Sequence, residues 1–160
     1  MSPVSKNYMI LLVTCPAICS PIGMAAVAAG EGMISVKSAH SVDATADRLE
    51  SILGAKGMTV FARIDHAAGA KKAGKTLLPT ELVVFGNPKV GTPLMLCSRS
   101  IAIDLPQKAL IWEDAAGDTW ISYNDPQFLK LRHGTEGCDE VFKKVAMALG
   151  NFSKAAAAAE

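Results

Sequence analysis

Hydrophobic and polar positions change period several times along the chain, and each change marks an element. Met33 to Lys37 fits a first strand. Ser41 then offers an N-cap oxygen, and Asp43 puts negative charge in the first turn, where the helix dipole favours it. Val42, Ala46, Leu49 and Leu53 recur at helical spacing and predict one buried stripe, closed by Lys56 and Gly57. Met58 to Ile64 alternates, with Met58, Val60, Ala62 and Ile64 on one face and Thr59, Phe61 and Arg63 on the other, which predicts a strand. Asp65 is placed to cap a short helix from His66 to about Lys72.

Within Thr80 to Phe85, Leu82-Val83-Val84-Phe85 is an unbroken apolar run, the pattern of a strand covered on both faces. Gly86-Asn87-Pro88 ends it with a turn, a cap and a first helical proline, and Gly91-Thr92-Pro93 repeats the signal. A proline at position 93 would remove a bond inside a helix begun at Pro88. The pattern therefore predicts a tight turn and then a helix from Thr92-Pro93 to near Ser98. Lys108–Glu113 and Thr119–Tyr123 flank Asp114-Ala115-Ala116-Gly117-Asp118 and read as a hairpin, with the register of Trp112 and Trp120 undetermined. Asp125-Pro126 opens a helix that Gly134 stops. A last helix carries Cys138, Val141, Val145, Leu149 and Phe152 on one stripe, and Ala155 to Ala159 is expected to fray. The order predicts an α+β domain (α/β mixed) over residues 30–160, a mixed sheet of about five strands with helices packed on it.

Composition agrees with one globular domain: 160 residues, 50% hydrophobic and 19% charged. Net charge is +1, and no basic run exceeds Lys71-Lys72 or Lys143-Lys144. Nucleic-acid binding needs a basic face, so that class is set aside.

Residues 1–30 carry one charge, Lys6, then an apolar run from Tyr8 through Val13 and an Ala26-Val27-Ala28 cleavage pattern. This reads as a signal peptide over residues 1–29, with a periplasmic or secreted destination. The alternative is a retained membrane anchor across Asn7 to Gly30, which Pro16 and Pro21 interrupt. Membrane contact follows only from that alternative. Cys15 follows Leu12-Val13-Thr14, a loose likeness to a lipoprotein box. Cys15 and Cys19 would leave with the leader. Cys97 and Cys138 remain, either as a disulfide or as two buried thiols.

Several blocks carry a likeness to a known family. They are Gly57-Met58-Thr59-Val60-Phe61-Ala62-Arg63-Ile64-Asp65-His66-Ala67-Ala68-Gly69-Ala70, Pro79 through Pro88, Gly91-Thr92-Pro93-Leu94-Met95, Ile103-Asp104-Leu105-Pro106 and Trp120 through Pro126. In this order, across about residues 35–150, they resemble the domain of unknown function 302 family. The resemblance implies a compact α/β domain and a homodimer, and it implies no reaction.

Candidate chemistry is sparse. His66 could shift protons, bind a metal or ligate haem, or make one structural hydrogen bond. Glu81 could be a base, or pair with Lys71, Lys75 or Arg63. Gly86-Asn87-Pro88 leaves a strand and enters a helix, where free N–H groups gather ligands, though a plain turn explains it as well. Asp104 sits between apolar residues and could be held by the Gly86 turn or by Arg99. Cys97, Cys138, His66 and Met95 would suit a soft metal such as copper, without a metal-binding motif to support it. A Ser-His-Asp set stays open, with no G-x-S-x-G elbow. The leading expectation is a dimeric exported module that binds a small ligand, with no resident cofactor. The rivals are a hydrolase- or lyase-like enzyme using His66 with Glu81 or Asp104, and a periplasmic haem or copper binder.

Overall fold

Strands β1 (Met33–Ser38), β2 (Thr59–Asp65), β3 (Thr80–Gly86), β4 (Gln107–Glu113) and β5 (Thr119–Asn124) form one sheet in the order β1-β5-β4-β3-β2. The computed structural model describes residues 31–159; the leader, its cleavage pattern, Cys15 and Cys19 lie outside the described residues. Every neighbouring pair of strands runs antiparallel, a narrower arrangement than the mixed sheet expected. The helices are α1 (Val42–Ala55), α2 (His66–Lys72), α3 (Pro88–Cys97), α4 (Pro126–His133) and α5 (Asp139–Ala157), with a 3-10 turn at Arg99–Ile103. The fold is α+β, with five strands as the hydrophobic pattern implied.

Helix α1 forms as its caps dictate. The Ser41 side chain accepts from the Ala44 N–H, and the chain leaves through Lys56 and then Gly57 at φ 69°. Val42, Ala46, Leu49 and Leu53 are buried, and they meet Val83, Phe85, Ile111 and Ile121 of the sheet and Phe142, Val145 and Leu149 of α5 in one core.

Strand β3 departs from its expected double burial. Glu81, Val83 and Phe85 point into the core, whereas Leu82 and Val84 are only half-buried. Their cross-strand partners carry the same parity outward: Leu82 faces Leu110, and Trp112 faces both Thr80 and Trp120. This second face stays open because the core cluster is built on the first alone. The apolar run therefore serves two surfaces, one of them half-exposed.

Strand β2 corrects the alternation. Val60 pairs with Phe85 and Ala62 with Val84, so Phe61 is an extra residue in a β-bulge. The bulge reverses parity along the strand. Arg63 shares a face with Val83 and Glu81, while Ile64 turns outward at 41% exposure.

Two helix expectations are also corrected. α3 begins at Pro88 and contains Pro93, rather than starting at Thr92. The Asn87 side chain caps the Lys89 N–H and the Asn87 carbonyl accepts from Val90 and Gly91, so the first turn is secured before Pro93 is reached. Only Leu94 of this helix is buried. At the C-terminus, Ala156 and Ala157 are buried instead of frayed. Ala39 N–H donates to the Ala157 carbonyl at 2.9 Å, His40 Nε2–H to Ala158 O at 2.8 Å, and Arg48 Nε to Ala156 O at 3.1 Å. These donors satisfy carbonyls that a helix end leaves without intrahelical partners. The fully buried stripe of α5 runs through Phe142, Val145, Leu149, Ser153 and Ala156, with Cys138, Val141 and Phe152 packed at its margin.

Candidate functional site

The end of β3 and the start of α3 bound an apolar cavity of about 270 Å³. Gly86, Asn87 and Pro88 all line it, with Phe61, Val90, Leu105 and Pro106 as its apolar walls. The bulge in β2 brings Phe61 there. A Cβ on Gly86 would stand 3.3 Å from the Phe61 ring and 3.5 Å from Pro106 Cβ, so glycine keeps these walls close. Asn87 holds the turn from both ends of its amide: Nδ2 donates to Gly57 O at 3.0 Å, and Oδ1 accepts from Lys89 N–H at 2.9 Å. Thr92 and Gln107 also reach the lining. A second hollow, about 590 Å³, lies on the α5 side of α3 and shares Met58, Val90 and Gln107 with the first. Helix α3 thus stands between two spaces, anchored by Leu94.

Glu81 is buried and paired. Arg63 donates from Nε to Glu81 Oε2 and from Nη1 to Asp47 Oδ1, with Asp43 at 3.7 Å and Glu50 at 4.0 Å. Burial pushes the Glu81 carboxyl above its usual range, the Arg63 bond pulls it down, and nearby Asp43 adds to the rise. Arg63 in turn is held more firmly charged by Glu81. One guanidinium here serves four carboxylates, which is an anchor of β2 on α1. Of the three partners weighed for Glu81, Arg63 is the one present.

Asp104 belongs to a different group. Its Oδ2 lies 2.6 Å from His133 Nε2, and its Oδ1 accepts from Arg132 Nη1 at 3.3 Å. The ring's other nitrogen, Nδ1, lies 2.9 Å from Ser100 Oγ, which is 3.0 Å from Ser98 Oγ. Neither the Gly86 turn nor Arg99 holds Asp104. His133 sits in the last turn of α4, and Gly134 at φ 59° turns the chain away just after it.

His66 is exposed at the first position of α2 and does not line the cavity. Among the described residues it makes no hydrogen bond to a carboxylate. The structure therefore brings together Gly86, Asn87 and Pro88, and separately pairs Asp104 with a histidine other than His66. Cys97 and Cys138 form a disulfide with Cα atoms 6.4 Å apart, so neither is free as a thiolate for a soft metal. Among the described residues no group of three or more His, Cys, Asp or Glu could hold a metal ion. Sequence reasoning missed His133 and Ser100. They lie 33 positions apart, and no local motif joins them.

Comparison with known proteins gives a family and a fold. The family model described as "Domain of unknown function DUF302" matches residues 34–152. A Brucella suis biovar 1 protein named fluoride-specific ion channel FluC 1 is 46% identical over 127 residues, covering 79% of this chain and 50% of that protein. A Brucella abortus biovar 1 protein of the same name is also 46% identical, with 79% and 47% covered. The chain thus spans about half the length of the curated relatives it matches. No helix among the described residues is long and apolar enough to cross a membrane. The crystal structure of an uncharacterised conserved DUF302 protein from Bacillus stearothermophilus superposes with a TM-score of 0.72 at 17% identity, covering 79% of this chain and 98% of that one.

Proposed function

We propose, for a chain that belongs to the DUF302 family, that the domain binds a small and mainly apolar ligand in the cavity beneath Gly86-Asn87-Pro88. The supporting observation is the hollow itself, about 270 Å³ with walls from Phe61, Val90, Leu105 and Pro106. Its size lies between a benzene-sized void, ~150 Å³, and the low end of ordinary ligand pockets, ~300 Å³. Apolar walls supply affinity, and the few polar groups, Thr92 and Gln107, give orientation. The Asn87 amide is already committed to the turn. The test is a thermal-shift series with toluene, indole and hexanol on the purified protein and on a Val90→Trp variant. A rise in Tm for at least one probe, lost when tryptophan fills the space, is expected; no shift with any of them would refute the reading.

The same reading places the protein outside the cytoplasm as a homodimer. The leader pattern and the Cys97–Cys138 disulfide support export. The open sheet face supports self-association: Leu82, Val84, Leu110, Trp112 and Trp120 stand half-exposed side by side, a largely apolar surface that a twofold copy could cover. Light scattering should give twice the chain mass, and Leu110→Lys should return it to the chain mass; a monomeric wild type would refute the pairing. The fluoride-channel name belongs to longer chains, of which this one matches about half, and no ion conduction is assigned to this domain.

A further inference from the structure

We propose that Ser100, His133 and Asp104 form a serine-nucleophile centre that cleaves small carboxylic esters with an apolar acyl group. The geometry fixes the direction of proton donation. A carboxylate accepts only, so the 2.6 Å contact of Asp104 Oδ2 with His133 Nε2 requires the proton on Nε2. Nδ1 then carries a lone pair, and it faces Ser100 Oγ at 2.9 Å. Ser100 donates to His133, and His133 donates to Asp104, which is the order a general base needs to activate a hydroxyl. Nδ1 takes the role that Nε2 has in the serine proteases; the relay depends on which partner each nitrogen faces. Arg132 Nη1 donates to Asp104 Oδ1 at 3.3 Å, a second bond that holds the carboxylate in place.

Burial falls where such a centre needs it. The His133 side chain is 5% exposed and that of Asp104 12%, so base and carboxylate are fixed by packing. Ser100 is exposed, so a substrate reaches it without opening the fold. The disulfide reinforces the approach, because Cys97 precedes Ser98 and Ser100 and Cys138 closely follows His133. A further, independent observation points to the substrate. The three most exposed large hydrophobic residues among those described are Leu96, Leu131 and Ile103, at 82%, 81% and 75%. They lie on α3, α4 and the 3-10 turn, and both helices pack against that turn. Exposed apolar side chains on the elements that carry or adjoin the relay favour an apolar acyl group.

In the reaction Ser100 Oγ bonds to the ester carbonyl carbon as its proton passes to His133 Nδ1. The bond from that carbon to the alkoxy oxygen breaks, and the alcohol leaves with the proton from His133. Water then adds to the acyl carbon, giving a proton to Nδ1. The bond to Ser100 Oγ breaks, the hydroxyl regains its proton, and the carboxylic acid departs.

The test uses the purified, oxidised full chain with a fluorophosphonate probe and with p-nitrophenyl butyrate. Intact mass should show a single adduct, peptide mapping should place it on Ser100, and Ser100→Ala should abolish it. Ser100 is exposed, so this variant is expected to melt like the wild type. Asp104→Asn should slow ester cleavage at least ~100-fold. Ser51→Ala, on the exposed side of α1, should label normally. Absence of an adduct, or an equal adduct on the Ser100→Ala protein, would overturn the proposal. So would an adduct mapped to another residue.

Discussion

Replacing Cys97 and Cys138 together by serine is expected to lower stability by about 4 kcal/mol. The bridge closes a loop between residues 41 positions apart. The loop-entropy relation gives about −13 cal/mol/K for that length, or about 4 kcal/mol at 25 °C. For a domain between the size classes usually tabulated, each kcal/mol moves Tm by roughly 4 °C, so the double variant should melt about 15 °C lower. The loss should also be uneven. The bridge joins the end of α3 to the start of α5, and α3 has only Leu94 in the core with a hollow on either side. Amide exchange should therefore rise first in α3 and the 3-10 turn, and last in β3 and β4. Scanning calorimetry of wild type, reduced wild type and the double serine variant makes the measurement. The two forms lacking the bridge should coincide. A double variant melting within about 4 °C of the oxidised protein would refute the argument.

Other perturbations follow from the charge clusters. Arg63→Met should cost about 3 kcal/mol at pH 7, because it strands buried Glu81 among Asp43, Asp47 and Glu50. In that variant the folded Glu81 value lies above its unfolded one, so its stability contribution is complete below the unfolded value and is lost as pH rises through the folded value. The deficit should therefore shrink in urea melts as pH falls from 7 toward 5, and a constant deficit would contradict the assignment. Asp114 accepts from Trp120 Nε1 at 2.8 Å and from the Asp118 and Ala116 N–H groups, and these bonds, the indole first, hold its carboxyl below the ordinary range. Its support of the hairpin turn is present above the unfolded aspartate value and lost as pH falls through the folded one. The Trp120 indole N–H resonance should report that acid transition, and an unchanged transition in Asp114→Asn would show that another group causes it.

The local signals were legible in the sequence because caps and turns act over a few residues. Ser41, Asp65, Asp125 and Gly134 each do in the structure what their positions announced, and Asn87 caps as its type suggests, although the helix was expected to start only at Thr92. The Gly86-Asn87-Pro88 turn belongs with them, and it lines the cavity. The bulge at Phe61 was not legible, since alternation in one strand says nothing about the residue count in its partner. The half-exposure of Leu82 and Val84 was hidden for a related reason: an apolar run has the same form whether its second face meets helices or stays open. Pro93 was read by its intrinsic cost alone, and the capped first turn outweighed it. Asp104 was picked out, but its partner His133 is 29 positions away and reaches it only through the packing of α4 against the 3-10 turn.

The bonds from Ala39, His40 and Arg48 to the carbonyls of residues 156 to 158 tie the end of α5 to α1 and to the loop that follows β1, an edge strand. Cutting the chain before Ala156 would remove more than a tail. It would loosen the connection from this edge strand to α1 and make the strand's open side easier for another molecule's strand to reach. A protein cut before Ala156 should show aggregate growth in static light scattering well before its core unfolds.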